Sequence, residues 1–168
     1  MQFTLKGTPC HTSGDLPALH STAPNFRLVN ADLGDVTLHN FHGKRKLLAT
    51  VPSLDTGTCS VMTKRLNDHA KKHSRGVIVV ASADLPFAQK RFCGLESVHN
   101  LHTLSMMRDK EFAQSYGLLI LDGPLAGLIA RSLIVIDEKD RIVYTQLVPE
   151  ITHEPHYEEA FHHLGLGS

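Results

Sequence analysis

The chain has 168 residues, with 17 Lys and Arg residues, 17 Asp and Glu residues and a formal net charge of zero. This length allows one domain with a sizeable core, and the neutral balance gives no electrostatic support for binding to nucleic acid or an anionic membrane. No apolar run is long enough to span a membrane, and residues 1–7 lack the basic start and apolar stretch of a signal peptide. We therefore expect a single domain over residues 1–168, located in the cytoplasm.

The first half of the chain alternates turn-rich and apolar segments. Residues 2–15 are short, polar and rich in turn formers, which predicts a hairpin at the N-terminus. Residues 26–29 and 35–38 alternate in hydropathy like short strands. Residues 46–51 form a continuous apolar run after their first lysine, typical of a strand buried on both faces, and residues 58–73 have the pattern of a helix.

The second half continues with a second buried strand, a short helix and a terminal hairpin. Pro86 at the start and Gly94 just past the end predict a short helix over residues 86–93. The remaining elements are strand 76–81, helix 109–116 stopped by Gly117, strands 131–136 and 141–147 around the polar turn 137–140, and helix 156–164. This order predicts an α/β fold in which helices flank a central mixed sheet, with an N-terminal β-hairpin as an extension.

Three cysteines, Cys10, Cys59 and Cys93, are too few and too scattered for a disulfide scaffold. No Cys-x-x-Cys occurs, which argues against a zinc ribbon and a vicinal dithiol site. Cys59 differs from the others because it falls on the first turn of a predicted helix, after a loop containing Pro52 and Gly57. Unpaired N–H groups and the positive end of the helix dipole favour a thiolate at such a position.

The pattern around Cys59 leaves two interpretations open. Cys59, Met62, Leu66 and Ala70 fall on one helical stripe, so the thiol should point inward. Most buried free cysteines are small hydrophobic residues without chemistry, and a structural cysteine is therefore one interpretation. The hydroxyl of Thr56, three residues earlier, could donate to the sulfur or to a substrate oxygen, although it could also act as an ordinary helix cap.

A reactive thiolate at Cys59 would need a cation as well as the helix end. Keeping a cysteine mostly ionised at neutral pH requires about 3.4 kcal/mol of stabilisation, whereas a helix dipole supplies about 2 kcal/mol at best. A cation a few ångströms away adds an attraction of about 4 kcal/mol before desolvation is subtracted. The best candidate is Arg131, a lone charge before the apolar residues 132–136, because arginine cannot lose its proton. A surface charge at the end of a strand is the alternative.

The spacing Pro52-x-x-x-Thr56-x-x-Cys59 resembles the signature of the peroxiredoxin family, in which the cysteine attacks peroxide. Residues 82–94, 122–131 and 146–152 resemble segments of a bacterial subgroup of that family, the thiol peroxidases, which are atypical two-cysteine peroxiredoxins. The resemblance covers nearly the whole chain. It implies a thioredoxin-like fold, which the order of the predicted elements also matches.

The resemblance also implies an enzyme that reduces hydrogen peroxide and organic hydroperoxides without a cofactor. Cys59 would be the attacking thiolate, and Thr56 and Arg131 would polarise the peroxide and stabilise the sulfur and the leaving oxygen. Pro52 would shield the pocket, although a proline there could simply terminate the strand. Cys93 would condense with the Cys59 sulfenic acid to form an intrachain disulfide. Recycling by thioredoxin and a homodimer follow from the same resemblance, while Cys10 matches no functional position.

The position of Cys93 in the sequence indicates, apart from the resemblance, that its helix end could unfold at low cost. It is placed at the end of a short helix beside Gly94, where local unfolding is cheap. Two helical cysteines on separate elements rarely lie within about 7 Å, Cα to Cα, so a bridge would require backbone movement. We therefore expect Cys59 and Cys93 to be unbonded in the reduced protein and residues 86–94 to rearrange on oxidation.

Other functions are less favoured. The 12 histidines include the pairs His69 and His73, and His99 and His102, but polar surface histidines are the simpler interpretation. The segment 153–156 is too short for a His-Glu-x-x-His metalloprotease motif. A redox-sensing or interaction module of the same fold, without turnover, remains an alternative. A disulfide oxidoreductase is a weaker one, because Cys59 and Cys93 are far apart in the sequence.

Overall fold

A computed structural model describes residues 1–166 and consists of a large sheet, a separate hairpin and four α-helices in that part of the chain. The elements, in chain order, are β1 (Gln2–Leu5), β2 (Thr8–His11), β3 (Arg27–Val29), β4 (Asp35–Thr37), a 3-10 helix (Leu38–Phe41), β5 (Lys46–Thr50), α1 (Gly57–Lys72), β6 (Val77–Ser82), α2 (Pro86–Glu96), β7 (His102–Ser105), α3 (Glu111–Ser115), β8 (Ser132–Ile136), β9 (Ile142–Leu147) and α4 (Glu158–Gly165). No helix of the described residues is long and apolar enough to cross a membrane.

The main sheet has seven strands in the order β4-β3-β7-β6-β5-β8-β9. Strands β5, β6 and β7 are parallel, whereas β8 runs antiparallel to β5 and β9 antiparallel to β8. Parallel neighbours need crossover connections, and α1 and α2 supply them between β5 and β6 and between β6 and β7. The segments that follow β5 and β6 therefore meet at one edge of the sheet, where α1 and α2 begin.

Alternation along the central strands divides the core into two layers. Leu47 and Ala49 of β5 pack on the face covered by α1 and α4, whereas Leu48 belongs to the cluster on the opposite face. All five residues of β5 are buried. Because both faces of this strand are covered, its central residues 47–49 are all apolar instead of alternating, as predicted.

The predicted mixed sheet, its flanking helices and the N-terminal hairpin are confirmed, with element ends that differ by a few residues. Strand β7 was not predicted, because His102-Thr103-Leu104-Ser105 contains only one strongly apolar residue. Its last three residues are nevertheless buried, since β7 lies between β6 and β3 in the sheet. Its burial is decided by tertiary pairing.

The predicted end of α2 is wrong. The helix continues to Glu96 and ends at Ser97, whose left-handed backbone (φ 55°) places its N–H on the carbonyl of Cys93. Gly94 lies inside the helix, where a Cβ would meet nothing within 4 Å. A single glycine in an exposed helix costs only about 1 kcal/mol, which did not stop this one. Cys93 is therefore inside the last turns of α2 and not at its end.

Gly117 ends the α3 region as predicted and allows a close contact with the N-terminal segment. Its φ is +70°, and a Cβ at this position would lie 2.0 Å from the carbonyl oxygen of Asp15. Gly43 provides a matched control, because its φ is +79° but nothing lies within 4 Å of its Cβ position. Comparing the two glycines therefore separates the cost of backbone strain from the cost of the close contact with Asp15.

We expect Gly117→Ala to lower the free energy of unfolding by at least about 2 kcal/mol, since backbone strain of about 1 kcal/mol adds to a clash with an unyielding carbonyl. Gly43→Ala should cost only the strain, about 1 kcal/mol. Urea denaturation of the two variants measures the difference. Equal losses would show that the segment around Asp15 can move away and does not constrain the turn.

Candidate active site

Cys59 is the third residue of α1 and is fully buried. Thr56 occupies the N-cap position with an extended backbone, and its carbonyl accepts the first intrahelical bond, from the Ser60 N–H. Cys59, Met62 and Leu66 form the buried stripe that the sequence predicts, packed against β5 and β8. The thiol therefore lies between the helix and the sheet, at the positive end of the helix dipole.

Arg131 is the charged residue that contacts this thiol. It is only 3% exposed, and its Nη2 donates to the Cys59 Sγ across 3.2 Å. Its Nε donates to the Ile151 carbonyl at 2.9 Å, and its Nη1 lies 3.5 Å from the Met62 sulfur. The predicted approach of Arg131 to Cys59 is thus present, and the alternative of a surface charge at a strand end is wrong.

The Arg131 guanidinium forms no ion pair with a carboxylate of residues 1–166. A buried charge without a partner is costly, and arginine cannot escape the cost by losing its proton. A thiolate at Cys59 would supply the missing negative charge. At 3.2 Å and an effective dielectric near 20, the attraction between the guanidinium and a negative charge on this sulfur would be about 5 kcal/mol before desolvation.

The segment 150–152 contacts Arg131 and the residue next to Cys59. The Ile151 carbonyl accepts from Arg131, and the Thr152 carbonyl accepts from the hydroxyl of Thr58, next to Cys59. The segment lies beside the N-terminal hairpin, which it joins by an isolated bridge between Thr4 and Glu150. The N-terminal hairpin therefore helps to position Ile151, near the other end of the sequence, whose carbonyl accepts from Arg131.

Glu150 fixes the shape of this segment with its side chain. One carboxylate oxygen accepts from the Thr152 N–H and hydroxyl, and the other from the Gly7 N–H and the Thr4 hydroxyl. These hydrogen bonds, those of Thr152 first, hold the pKa of Glu150 well below its usual range. Our reasoning from the residues missed Glu150; the only signal was its place in the segment that resembles thiol peroxidases.

The loop before α1 is held by a second carboxylate that the sequence did not indicate. Pro52 is buried directly after β5, and Asp84 accepts the hydroxyl of Ser53 at 2.7 Å and the N–H of Leu54 at 2.8 Å. Thr56 is exposed, and its hydroxyl donates to the Ser53 carbonyl at 3.2 Å. The Thr56 hydroxyl is therefore on the loop backbone in this state and not on the Cys59 sulfur.

Cys93 lies in a different environment from Cys59. It is half-buried on α2, with its sulfur 3.6 Å from the Thr103 hydroxyl on β7. Burial raises the pKa of the Cys93 thiol, and the hydrogen bond with Thr103 opposes this only in part. Thr103 pairs with Val80, which packs in the same cluster as Cys59, so both cysteines lie over one face of the sheet. Both are free thiols in this structure.

Cys10 and the histidines lie outside this arrangement. Cys10 is buried in the hairpin, in the core cluster on the opposite face from Cys59. The ring of His69 stacks on that of His73, with centroids 4.4 Å apart, and on that of Phe161 at 3.7 Å. Because Phe161 belongs to α4, the stack packs α1 against α4. Within residues 1–166, no three His, Cys, Asp or Glu side chains are grouped to hold a metal ion.

Comparisons with known proteins identify the family to which this chain belongs. The family model described as Redoxin matches residues 18–161. The chain belongs to the redoxin family. It is 46% identical to the thiol peroxidase of Mycobacterium bovis (strain ATCC BAA-935 / AF2122/97) over 164 residues, which cover 98% of each protein. The chain is therefore a peroxiredoxin-type enzyme, and the sequence-based identification is confirmed.

Solved structures extend the comparison to the fold. A peroxiredoxin-like protein from Aquifex aeolicus superposes with a TM-score of 0.92 at 36% identity, covering 98% of this chain and 95% of the other. A thiol peroxidase from Chromobacterium violaceum, 21% identical, superposes with a TM-score of 0.91 over 99% and 97% of the two chains. At 21% identity, the similarity to the Chromobacterium violaceum protein shows the fold alone. Together they confirm the thioredoxin-like α/β architecture.

Replacement of Arg131 tests whether its charge activates the thiol of this redoxin. In a background lacking Cys10 and Cys93, we expect Arg131→Met to slow alkylation of Cys59 by iodoacetamide at pH 7 by tenfold to hundredfold, on the order of the lost thiolate stabilisation. Arg131→Lys should fall in between, because it keeps the charge without the planar fork. Mass spectrometry of quenched samples measures the rates.

The matched control is Arg27→Met, since Arg27 is exposed and its side chain makes no hydrogen bond within the described residues. Its alkylation rate should equal that of the parent. Unchanged reactivity in Arg131→Met, with a native circular dichroism spectrum, would remove Arg131 from the site.

The lowered pKa of Glu150 predicts that its contribution to the free energy of unfolding depends on pH. A carboxylate with a depressed pKa stabilises the fold fully above the unfolded-state value, about 4.3 for glutamate, and loses that contribution as the pH falls toward its folded value. We expect the difference in unfolding free energy between the parent and Glu150→Gln to be constant from pH 7 to about pH 4.5 and to shrink below it. Denaturant titrations at several pH values measure it, with the exposed Asp32→Asn as control. A difference that grows in acid would contradict the assignment.

Proposed function

We propose that this enzyme reduces hydrogen peroxide and small organic hydroperoxides at Cys59, that Cys93 resolves the oxidised sulfur, and that thioredoxin restores the dithiol. The observation that carries the proposal is the buried contact of 3.2 Å between the Arg131 guanidinium and the Cys59 sulfur. It supports a thiolate at a helix N-terminus, and the thiolate is the nucleophilic form of cysteine. Family membership supplies the class of reaction.

In the first step, the Cys59 thiolate attacks one peroxide oxygen and the O–O bond breaks. The sulfur becomes a sulfenic acid, and the other oxygen takes a proton and leaves as water or an alcohol. Arg131 would stay close to both the sulfur and the leaving oxygen, where negative charge moves during the reaction. The exposed Thr56 hydroxyl would leave the Ser53 carbonyl to donate to the peroxide, and the buried Pro52 would limit the access of water.

In the second step, the Cys93 sulfur attacks the sulfenic sulfur, a Cys59–Cys93 disulfide forms and water leaves. While α2 is folded, burial raises the pKa of the Cys93 thiol, so Cys93 stays neutral and does not compete for peroxide. Unwinding of α2 would expose Cys93 and return its pKa toward the ordinary value, which favours the thiolate that attacks. The different environments of the two thiols thus support an ordered reaction.

In the third step, the thioredoxin dithiol takes the two oxidising equivalents by thiol–disulfide exchange, and no cofactor is needed because sulfur carries both electrons. We place the enzyme in the cytoplasm, where thioredoxin keeps thiols reduced. We also propose a homodimer, for which the exposed side chains of Leu85, Phe87 and Leu95 around α2 offer an apolar surface.

One equivalent of hydrogen peroxide added to the reduced protein tests the cycle. We expect the intact mass to fall by two hydrogens and peptide mapping to join Cys59 to Cys93. Cys59→Ser should abolish peroxide consumption, whereas Cys93→Ser should consume peroxide but stop at the sulfenic acid or a higher oxide. Cys10→Ser is the control and should behave like the parent protein.

Two outcomes would contradict the proposal. Oxidised Cys59 left unbridged in the parent protein would remove Cys93 from the mechanism. Stoichiometric oxidation without turnover in the presence of thioredoxin, its reductase and NADPH, or of other thiols, would support a redox-sensing module in place of an enzyme.

A further inference from the structure

A continuous chain of hydrogen bonds joins the loop before Cys59 to the helix that carries Cys93. Asp84 follows β6 and accepts from Ser53 and Leu54 of the loop. The same carboxylate accepts the hydroxyl of Ser82 at 2.7 Å. The Ser82 oxygen in turn accepts from the side-chain amide of Gln89, on α2, at 3.0 Å. The two segments that must meet during the resolving step are therefore connected through four polar side chains.

Gln89 is the member of this chain that attaches α2 to the sheet. It is fully buried, and its Nε2 also donates to the Leu104 carbonyl of β7 at 2.8 Å. Its Oε1 is buried and has no hydrogen-bond partner within the described residues. An apolar side chain would avoid this unsatisfied acceptor, so the amide is a costly choice whose benefit lies in the two bonds that it donates.

The rest of α2 is loosely attached. Of its 11 residues only Pro86 and Gln89 are buried. The last turns add the half-buried Phe92, which packs against the core, a half-buried Cys93, and an ion pair between Glu96 and Lys64 of α1, which is largely exposed and therefore weak. Loss of the Gln89 bonds would leave chiefly the packing of Pro86 and Phe92 to keep the helix on the sheet.

We propose that Gln89 is a latch whose bonds to Ser82 and Leu104 hold α2 on the sheet, and whose release sets the rate at which Cys93 reaches the Cys59 sulfenic acid. Asp84 and Ser82 couple the latch to the Cys59 loop. All three are positioning residues, because none touches the reacting sulfurs. The inference rests on the proposed function, in which Cys93 resolves Cys59.

Gln89→Glu is the sharpest variant, because it has the same shape but replaces the donating NH₂ group with an oxygen. Once ionised, the carboxylate would face the Leu104 carbonyl and, through Ser82, the Asp84 carboxylate, and both bonds would be lost. In the alkaline range where this group is ionised, we expect Cys59–Cys93 disulfide formation to accelerate about tenfold, near the lower end of the effect of two lost net hydrogen bonds on an opening equilibrium. The rate of sulfenic acid formation at Cys59 should not change.

The pH profile separates a latch from general damage. The carboxyl group introduced by Gln89→Glu keeps one O–H donor while it is protonated, and burial beside Asp84 raises its pKa above the ordinary glutamate value. The acceleration should therefore be largest at alkaline pH and shrink as the pH falls through that raised pKa. The titratable side chains on the elements around position 89 are Asp84, bonded through Ser82, Cys93 one turn along α2, and His102 at the start of β7. Profiles are therefore read as the ratio of variant to parent protein at each pH, in which the titration of these shared groups cancels.

The measurement is rapid mixing with one equivalent of hydrogen peroxide, followed by an acid quench and mass spectrometry of sulfenic acid, trapped with dimedone, and of disulfide. Lys90→Glu is the control, because it adds a carboxylate to an exposed position of the same helix and should leave both rates unchanged. If Gln89→Glu does not fold, Ser82→Ala removes one of the two Gln89 acceptors and should give a smaller acceleration.

Disulfide formation at the parent rate in Gln89→Glu at every pH, or in Ser82→Ala where the first variant does not fold, would overturn the latch while leaving the proposed function intact. An equal change in both steps, or a ratio that does not vary with pH, would also overturn it. No Cys59–Cys93 disulfide in the parent protein would overturn the proposed function and the latch with it.

Discussion

The structure of this redoxin depends on one constraint: a guanidinium buried beside a sulfur. Arg131 must stay charged, is almost fully buried and has no carboxylate partner among residues 1–166, so the thiol of Cys59 is the group that can balance it. The surrounding elements can be understood as the means of holding the arginine beside the sulfur.

Three parts of the chain meet to satisfy that constraint. Strand β8 brings Arg131 to the sheet edge where α1 begins, and antiparallel pairing of β8 with β5 fixes it opposite the start of the Cys59 loop. The Ile151 carbonyl orients the guanidinium, while Glu150 and the N-terminal hairpin orient Ile151. Cys93 lies apart from this contact, half-buried on α2, which suits the later, resolving step that we propose for it.

Local patterns predicted those parts of the site that depend on neighbours in sequence. The inward stripe of α1 and the position of Cys59 on its first turn follow from helical periodicity, and the need for a cation followed from the free energy of ionisation. Arg131 could be chosen because it was a lone charge beside an apolar strand. Glu150, Asp84 and Gln89 could not be found in this way, because a polar residue in a loop or short helix looks the same whether it is solvated or bonded to a distant backbone.

The sequence by itself determined the α/β class, the family and the place of Cys59 on the first turn of a helix, because periodicity, turn chemistry and a short motif are written in consecutive residues. Only the tertiary structure decided that β7 is a buried strand, that α2 continues past Gly94, and that the hydroxyl of Thr56 lies on Ser53 in this state. These features depend on free energies of burial and hydrogen bonding between segments far apart in the chain. Such terms exist only once the sheet has assembled.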